Sequence, residues 1–132
     1  MDKIWTNDEF HKIPKKERNG RFKFNHGAVI WYKEGKLHRE DGPAYIDGEN
    51  QIWFINGVEH RLDGPAKKWA DGSYEWYKNG KCHRLDGPAC LYIKDPINNK
   101  YEEEYCIEDV TYSYEEWKKL SYAILNNIEV FL

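Results

Sequence analysis

Three copies of a short motif hold most of the residues in this chain that could do chemistry. The pattern His-Arg-x-Asp-Gly-Pro-Ala occupies residues 38–44, 60–66 and 83–89. Its polar members are His38, Arg39, Asp41, His60, Arg61, Asp63, His83, Arg84 and Asp86. Imidazole and carboxylate groups serve acid–base catalysis and metal binding, and arginine binds phosphates and carboxylates. The motif is therefore compatible with a catalytic, metal-binding, ligand-binding or purely structural role.

The spacing of the copies argues against a shared reaction centre. They lie 22 and 23 residues apart. If each repeat adds two strands to a sheet, equivalent side chains stand roughly 10 Å apart, whereas a zinc ligand nitrogen lies about 2.0–2.1 Å from its ion. No Ser or Cys recurs beside the histidines, since Cys82 precedes His83 in one copy only. We predict no metal, no cofactor and no catalytic residue.

We interpret the nine polar residues as a ladder of structural turns. An aspartate before glycine can bond the turn backbone, and the proline fixes φ where the next strand begins. The arginine can pair with an aspartate or stack on a tryptophan, and the histidine is expected to donate to a loop carbonyl. The alternative is a small ligand or nucleotide held in a loop groove around His60, Arg61 and Asp63.

The segments between the motifs predict strands. Each motif follows an aromatic pair, at 31–32, 53–54 and 76–77. Asp-Gly and Asn-Gly pairs predict type I′ hairpin turns at 47–48, 56–57, 71–72 and 79–80. A proline in every repeat excludes a continuous helix. The fold class is therefore mainly β, an antiparallel β-hairpin repeat meander in a single-layer sheet.

Both ends of the chain depart from the repeat, within one domain overall. Residues 1–18 are expected to form an N-terminal cap, with a capping box between Thr6 and Glu9. Residues 19–112 hold the hairpin repeats and include, at 19–28, a decayed first copy. Residues 113–132 are expected to form a C-terminal capping helix, from about 114 to 126, and a tail. Ser113 and Glu116 form a second capping-box pattern at its start.

The repeat Trp-aromatic-x-Asn-Gly-x-x-His-Arg-x-Asp-Gly-Pro-Ala resembles MORN-variant repeat proteins of the phage and giant-virus type, across residues 19–112. The resemblance implies a MORN-like sheet and a scaffolding or protein-binding role, and it implies no catalytic residue. Ordinary MORN units lack the His-Arg-x-Asp-Gly-Pro loop, so the lipid binding sometimes proposed for that superfamily does not carry over.

Composition and charge bound the partners. The net charge is −3, but residues 95–132 hold 3 Lys/Arg against 9 Asp/Glu. This acidic block predicts a protein partner with a basic surface, and nucleic acid is disfavoured because no basic stripe runs through the repeats. No apolar run reaches membrane-span length, and three cysteines without CxxC spacing favour free thiols in the cytoplasm. The candidate binding residues are Glu102, Glu103, Glu104, Trp53, Trp76 and Tyr77.

The sequence thus favours a binding module over an enzyme. The leading hypothesis is a phage or mobile-element factor that docks onto a host protein, possibly of a defence system, and inhibits or sequesters it. An antitoxin or immunity protein is a further alternative, and open sheet edges would permit a homodimer.

The absence of a structural metal is directly testable. Extended chelation should leave the β-sheet circular dichroism signal unchanged, because the repeat spacing keeps the three histidines of the ladder apart. A loss of that signal on chelation, restored by adding a divalent metal, would contradict the prediction.

Overall fold

The aromatic runs and glycine turns form one long, mostly antiparallel sheet in the structure, a computed structural model that describes residues 2–128. The helices are α1 (Asn7–His11) and α2 (Tyr114–Leu125), and Lys15–Glu17 form a 3-10 turn. The strands are β1 (Ile4–Trp5), β2 (Gly20–Phe24), β3 (Val29–Lys33), β4 (Lys36–Leu37), β5 (Tyr45–Asp47), β6 (Asn50–Ile52), β7 (Phe54–Ile55), β8 (Val58–Glu59), β9 (Lys67–Lys68), β10 (Tyr74–Glu75), β11 (Tyr77–Lys78), β12 (Lys81–Cys82), β13 (Cys90–Asp95), β14 (Lys100–Ile107) and β15 (Val110–Tyr112).

Strand order follows chain order. The main sheet runs β1-β2-β3-β5-β6-β9-β10-β13-β14-β15, β4 pairs with β3, and β7–β8 and β11–β12 form small hairpins. In the second and third repeats the returning strand divides at a tryptophan. Its first part lies in the main sheet, and the Trp53 and Trp76 N–H groups donate to the C=O of Ala66 and Ala89, each at 2.7 Å. The mainly β fold of antiparallel hairpins with a C-terminal helix is confirmed.

The Asn-Gly turns and the Asp-Gly turns differ in geometry. Asn56-Gly57 and Asn79-Gly80 have positive φ at both positions, which confirms type I′ turns there. The same prediction was wrong at 47–48 and 71–72, where only the glycine has positive φ, 59° at Gly48 and 96° at Gly72. Asp47 still pairs with Asn50, so the turn falls one residue later. The Asp71 carboxylate accepts from the Ser73 N–H at 2.8 Å, an Asx-type bond that needs no positive φ at Asp71 itself.

Two clusters form the core on one face of the sheet, one of aromatic rings and one centred on three cysteines. At the N-terminal end, Phe10 of α1 packs edge-on against Phe22 and Phe24, with ring centroids 5.1 and 5.2 Å apart. At the other end, Cys82, Cys90 and Cys106 are buried against partly buried aromatic side chains. Register places the second core and Glu104 on the same face, because Cys90 lies opposite both Glu75 and Glu104. Trp31, Trp53 and Trp76 alternate onto the opposite face.

The helices begin where the sequence predicts. The Thr6–Glu9 capping box is formed in both directions, at 3.0 and 3.2 Å. At the second helix only half of the predicted capping box is formed: Ser113 Oγ accepts from the Glu116 N–H at 3.2 Å, without the return bond to the Glu116 side chain. The Trp117 Nε1–H of α2 donates to the Arg84 carbonyl at 2.9 Å, so α2 is fixed to the third loop. Among residues 2–128 no helix is both long and apolar enough to cross a membrane.

Candidate binding surface

Each arginine of the repeated motif is held by three contacts within its own repeat. Arg61 Nε donates to Asp63 Oδ1 at 3.0 Å, and Nη1 donates to the Pro65 carbonyl at 3.1 Å. The Arg61 Cζ lies 4.0 Å from the centroid of the Trp53 ring. Arg39 and Arg84 repeat this arrangement over Trp31 and Trp76, at 3.9 and 4.1 Å. The hydrogen bond from Arg39 also lowers the pKa of Asp41.

The loop glycine is required for space at this site. An added Cβ at Gly64 would lie 2.6 Å from Arg61 Cζ, and the corresponding distances are 2.9 Å at Gly42 and 2.8 Å at Gly87. The positive-φ glycines do not include these three. The guanidinium therefore lies between the tryptophan ring and the bare backbone of its own loop, which explains why glycine recurs in all three copies.

The histidines connect one repeat to the next by accepting hydrogen bonds, a contact that the sequence did not indicate. The Nδ1 of His38, His60 and His83 accepts from the backbone N–H of Asn56, Asn79 and Glu108, at 2.9, 3.0 and 3.1 Å. A backbone N–H can only donate, so Nδ1 must be unprotonated. The Asn19 Oδ1 accepts from the Glu34 N–H at 2.7 Å, which is the same bond at the first turn. An asparagine therefore replaces histidine in the decayed copy.

Two grooves lie between successive loops on the tryptophan face. The larger, about 710 Å³, lies between the first and second loops, and Trp53, His60 and Arg61 line it. The smaller, about 440 Å³, lies between the second and third loops, where Trp76, Leu85 and Leu125 of α2 line it. Leu62 borders both grooves and is 69% exposed. These apolar positions were missed by the sequence reasoning, although the change from Glu40 to leucine in the later copies was a signal.

The predicted binding residues do not form one site. Trp53 and Trp76 line the grooves, but Tyr77 lies on the opposite face against the cysteine cluster. Burial raises the pKa of Tyr77. Glu102, Glu103 and Glu104 are exposed along β14, and their side chains alternate between the two faces of the sheet. The acidic residues are therefore separate from the grooves.

The three cysteines meet in the core, which the sequence spacing did not indicate. Cys82 Sγ lies 3.3 Å from Cys90 Sγ, and Cys106 belongs to the same buried cluster. The contact with Cys90, together with burial, raises the pKa of the Cys82 thiol. All three are free thiols. Within residues 2–128 no group of three or more His, Cys, Asp or Glu side chains is placed to hold a metal ion.

Comparisons of the chain with protein-family models, curated proteins and solved structures found no match.

A double-mutant cycle tests the space requirement at Gly64. We expect Gly64→Ala to lower the free energy of unfolding by about 1–3 kcal/mol, because the new methyl group displaces the Arg61 guanidinium from its three contacts. In an Arg61→Ala background the same glycine substitution should cost almost nothing, and urea unfolding of the four proteins measures the coupling. An equal cost in both backgrounds would show that backbone conformation, and not the guanidinium, requires glycine.

The hydrogen bond that His83 accepts predicts a loss of stability in acid. Burial is the largest influence on His83 and lowers its pKa; the Glu108 carboxylate opposes this and Lys78 adds to it. The pKa of His83 in the folded protein lies below its unfolded value of about 6.5. The contribution of neutral His83 to stability is therefore present above that pH and is lost as the pH falls through the folded pKa. His83→Asn keeps an acceptor but does not titrate. The stability difference between the native protein and this variant should therefore shrink on acidification.

The matched control is His26→Asn, because His26 is exposed and lies outside the ladder. A difference for His83→Asn that stays constant from about pH 8 to about pH 5 would contradict the prediction.

Proposed function

We propose that this protein is a non-enzymatic protein-binding module whose partner docks on the tryptophan face, across the two loop grooves. The observation that carries the proposal is the exposure of Leu62 between the two grooves, with Leu125 at the wall of the second. Large apolar side chains bordering a groove are typical of interaction sites.

The state of the polar ladder supports binding over catalysis. Each arginine already bonds an aspartate and a carbonyl of its own loop, and each histidine Nδ1 already accepts a backbone N–H. A general base needs a free acceptor within reach of its substrate. These side chains maintain the loops, so the apolar positions between them remain for recognition.

We also propose a family and a biological role for the protein. The hairpin units of 22–23 residues and their glycine turns support membership of the MORN-variant repeats, with the His-Arg-x-Asp-Gly-Pro loop as the added element. On that resemblance we propose a phage or mobile-element factor that acts in the host cytoplasm by sequestering or inhibiting a host protein. An antitoxin or immunity protein would use the same surface against a toxin.

A small-molecule ligand is the second candidate because of the volume of the first groove. The first groove, at about 710 Å³, has the size of ordinary ligand pockets and contains His60 and two arginines. Thermal unfolding across a panel of nucleotides and other anions tests this candidate. A stabilisation by one compound that Arg61→Ala removes would favour it over a protein partner.

Substitution of Leu62 tests the proposed surface. Burial of a leucine side chain contributes about 1.5–3 kcal/mol, so Leu62→Asp should weaken partner binding by at least about tenfold. The measurement is affinity capture from a bacterial lysate followed by titration of the recovered protein. Ile97→Asp is the matched control, since Ile97 is 93% exposed and lies outside both grooves. Equal binding by both variants would place the interface elsewhere.

A further inference from the structure

The outer edge of β14 carries backbone groups with no strand beside them among residues 2–128. In the repeats, β6 lies between β5 and β9, and β10 lies between β9 and β13. On its inner side, β14 pairs with β13 from Lys100 to Glu104, whereas β15 pairs only with residues 105–107. After β15 the chain enters α2 instead of returning as another strand. The edge from Tyr101 to Glu104 is therefore open within the described chain.

The exposed backbone groups of this edge can be identified from one hydrogen bond. The Ala89 N–H donates to the Glu104 carbonyl at 2.8 Å, so the Glu104 backbone faces β13. Backbone groups alternate in direction along a strand, so the N–H and C=O of Tyr101 and Glu103 point outward. Tyr74 is the repeat equivalent of Glu103, and Tyr74 pairs with Leu91 of β13. Glu103 thus lacks the neighbour that Tyr74 has.

The charges of the edge select the occupant. Glu102, Glu103 and Glu104 are consecutive and exposed. Like charges placed opposite each other destabilise strand pairs, so a second copy of β14 is disfavoured. Opposite charges facing each other are favoured. In the repeats, the outer edge of β6 receives β9, where Lys67 and Lys68 lie opposite Ile52 and Gln51, the repeat equivalents of Glu104 and Glu103. A strand like β9 on the edge of β14 would place a lysine opposite each of these two glutamates.

We propose that the open edge of β14 binds an extended, antiparallel segment of a partner protein, with lysine or arginine at the two consecutive positions opposite Glu104 and Glu103. The segment takes the place that a further repeat strand would occupy. Backbone bonds to Tyr101 and Glu103 provide the pairing, and the glutamates provide the selectivity, as in other cases of strand addition. This surface is separate from the loop grooves, and the inference does not depend on them.

The chain itself supplies the probe. A peptide with the sequence of residues 64–70, Gly-Pro-Ala-Lys-Lys-Trp-Ala, corresponds to β9 and places its two lysines opposite Glu104 and Glu103. We expect weak binding that declines with salt, with backbone amide NMR shifts concentrated at residues 101–104. The amides of Tyr101 and Glu103 should exchange more slowly with the peptide bound. The same peptide with both lysines replaced by glutamate should not bind.

Four variants separate the contributions. Combined charge reversal, Glu103→Lys with Glu104→Lys, should weaken peptide binding at least about tenfold, while Glu17→Lys with Glu49→Lys, also exposed but distant from β14, should weaken it much less. Glu103→Pro removes an outward N–H and leaves the inward bonds to β13, so it should also abolish binding. Leu62→Asp should leave peptide binding unchanged, which distinguishes this edge from the grooves.

Several results would overturn the proposal. They are the absence of shifts at residues 101–104, binding that survives charge reversal, or binding that survives Glu103→Pro. Concentration-dependent dimerisation of the native protein that Glu103→Pro removes would assign the edge to a second copy instead. Retained β-sheet circular dichroism in each variant confirms that a loss of binding is not a loss of fold.

Discussion

The rest of this structure depends on how an arginine is held over a tryptophan in each repeat. The guanidinium contacts the ring on one side and the glycine backbone on the other, while an aspartate and a proline carbonyl accept its hydrogen bonds. A loop of this length would otherwise expose unpaired backbone groups next to the sheet. With the arginine in place, the loop is fixed at its aspartate, at its proline carbonyl and over the tryptophan, just before the next strand begins.

A second kind of interaction, hydrogen bonds of the histidines and of the loop backbone, joins each repeat to the next. Each histidine accepts a hydrogen bond from the next turn, and each loop arginine N–H donates to the returning strand of the next repeat, as Arg61 N–H does to the Tyr77 carbonyl at 3.1 Å. The buried core of this sheet consists of a few small clusters, so these bonds supplement the apolar burial available to it. They also fix the distance between successive loops. The two grooves are a consequence of that distance, and they recur because the repeat recurs.

The two ends of the sheet are covered to different extents. At the N-terminal end, α1 covers the aromatic core with Phe10. At the C-terminal end, α2 covers the third loop through Trp117 but leaves the first half of β14 uncovered among the described residues. That uncovered half contains the three consecutive glutamates. Acidic side chains on an edge strand discourage pairing with like strands while remaining attractive to basic ones.

Much of the fold was determined by the sequence alone. The three motifs, the aromatic pairs and the Asn-Gly turns specified antiparallel hairpins of one period, and two Ser/Thr-x-x-Glu patterns marked where both helices begin. These features are local, because a turn or a cap is specified by residues within a few positions of each other. The contact between Arg61 and Asp63 was also predictable for this reason, since they are two residues apart.

Tertiary structure decided the contacts that join distant parts of the chain. Cys82, Cys90 and Cys106 share one core only because β12, β13 and β14 come together, and Leu62 and Leu125 line the same groove only because α2 folds back onto the third loop. The hydrogen bond that each histidine accepts could not be predicted from the sequence, because its donor lies in the next repeat, 19 residues away for His60. Whether Glu103 points its backbone outward depends on strand register, which is set by pairing across the sheet and not by the residue itself.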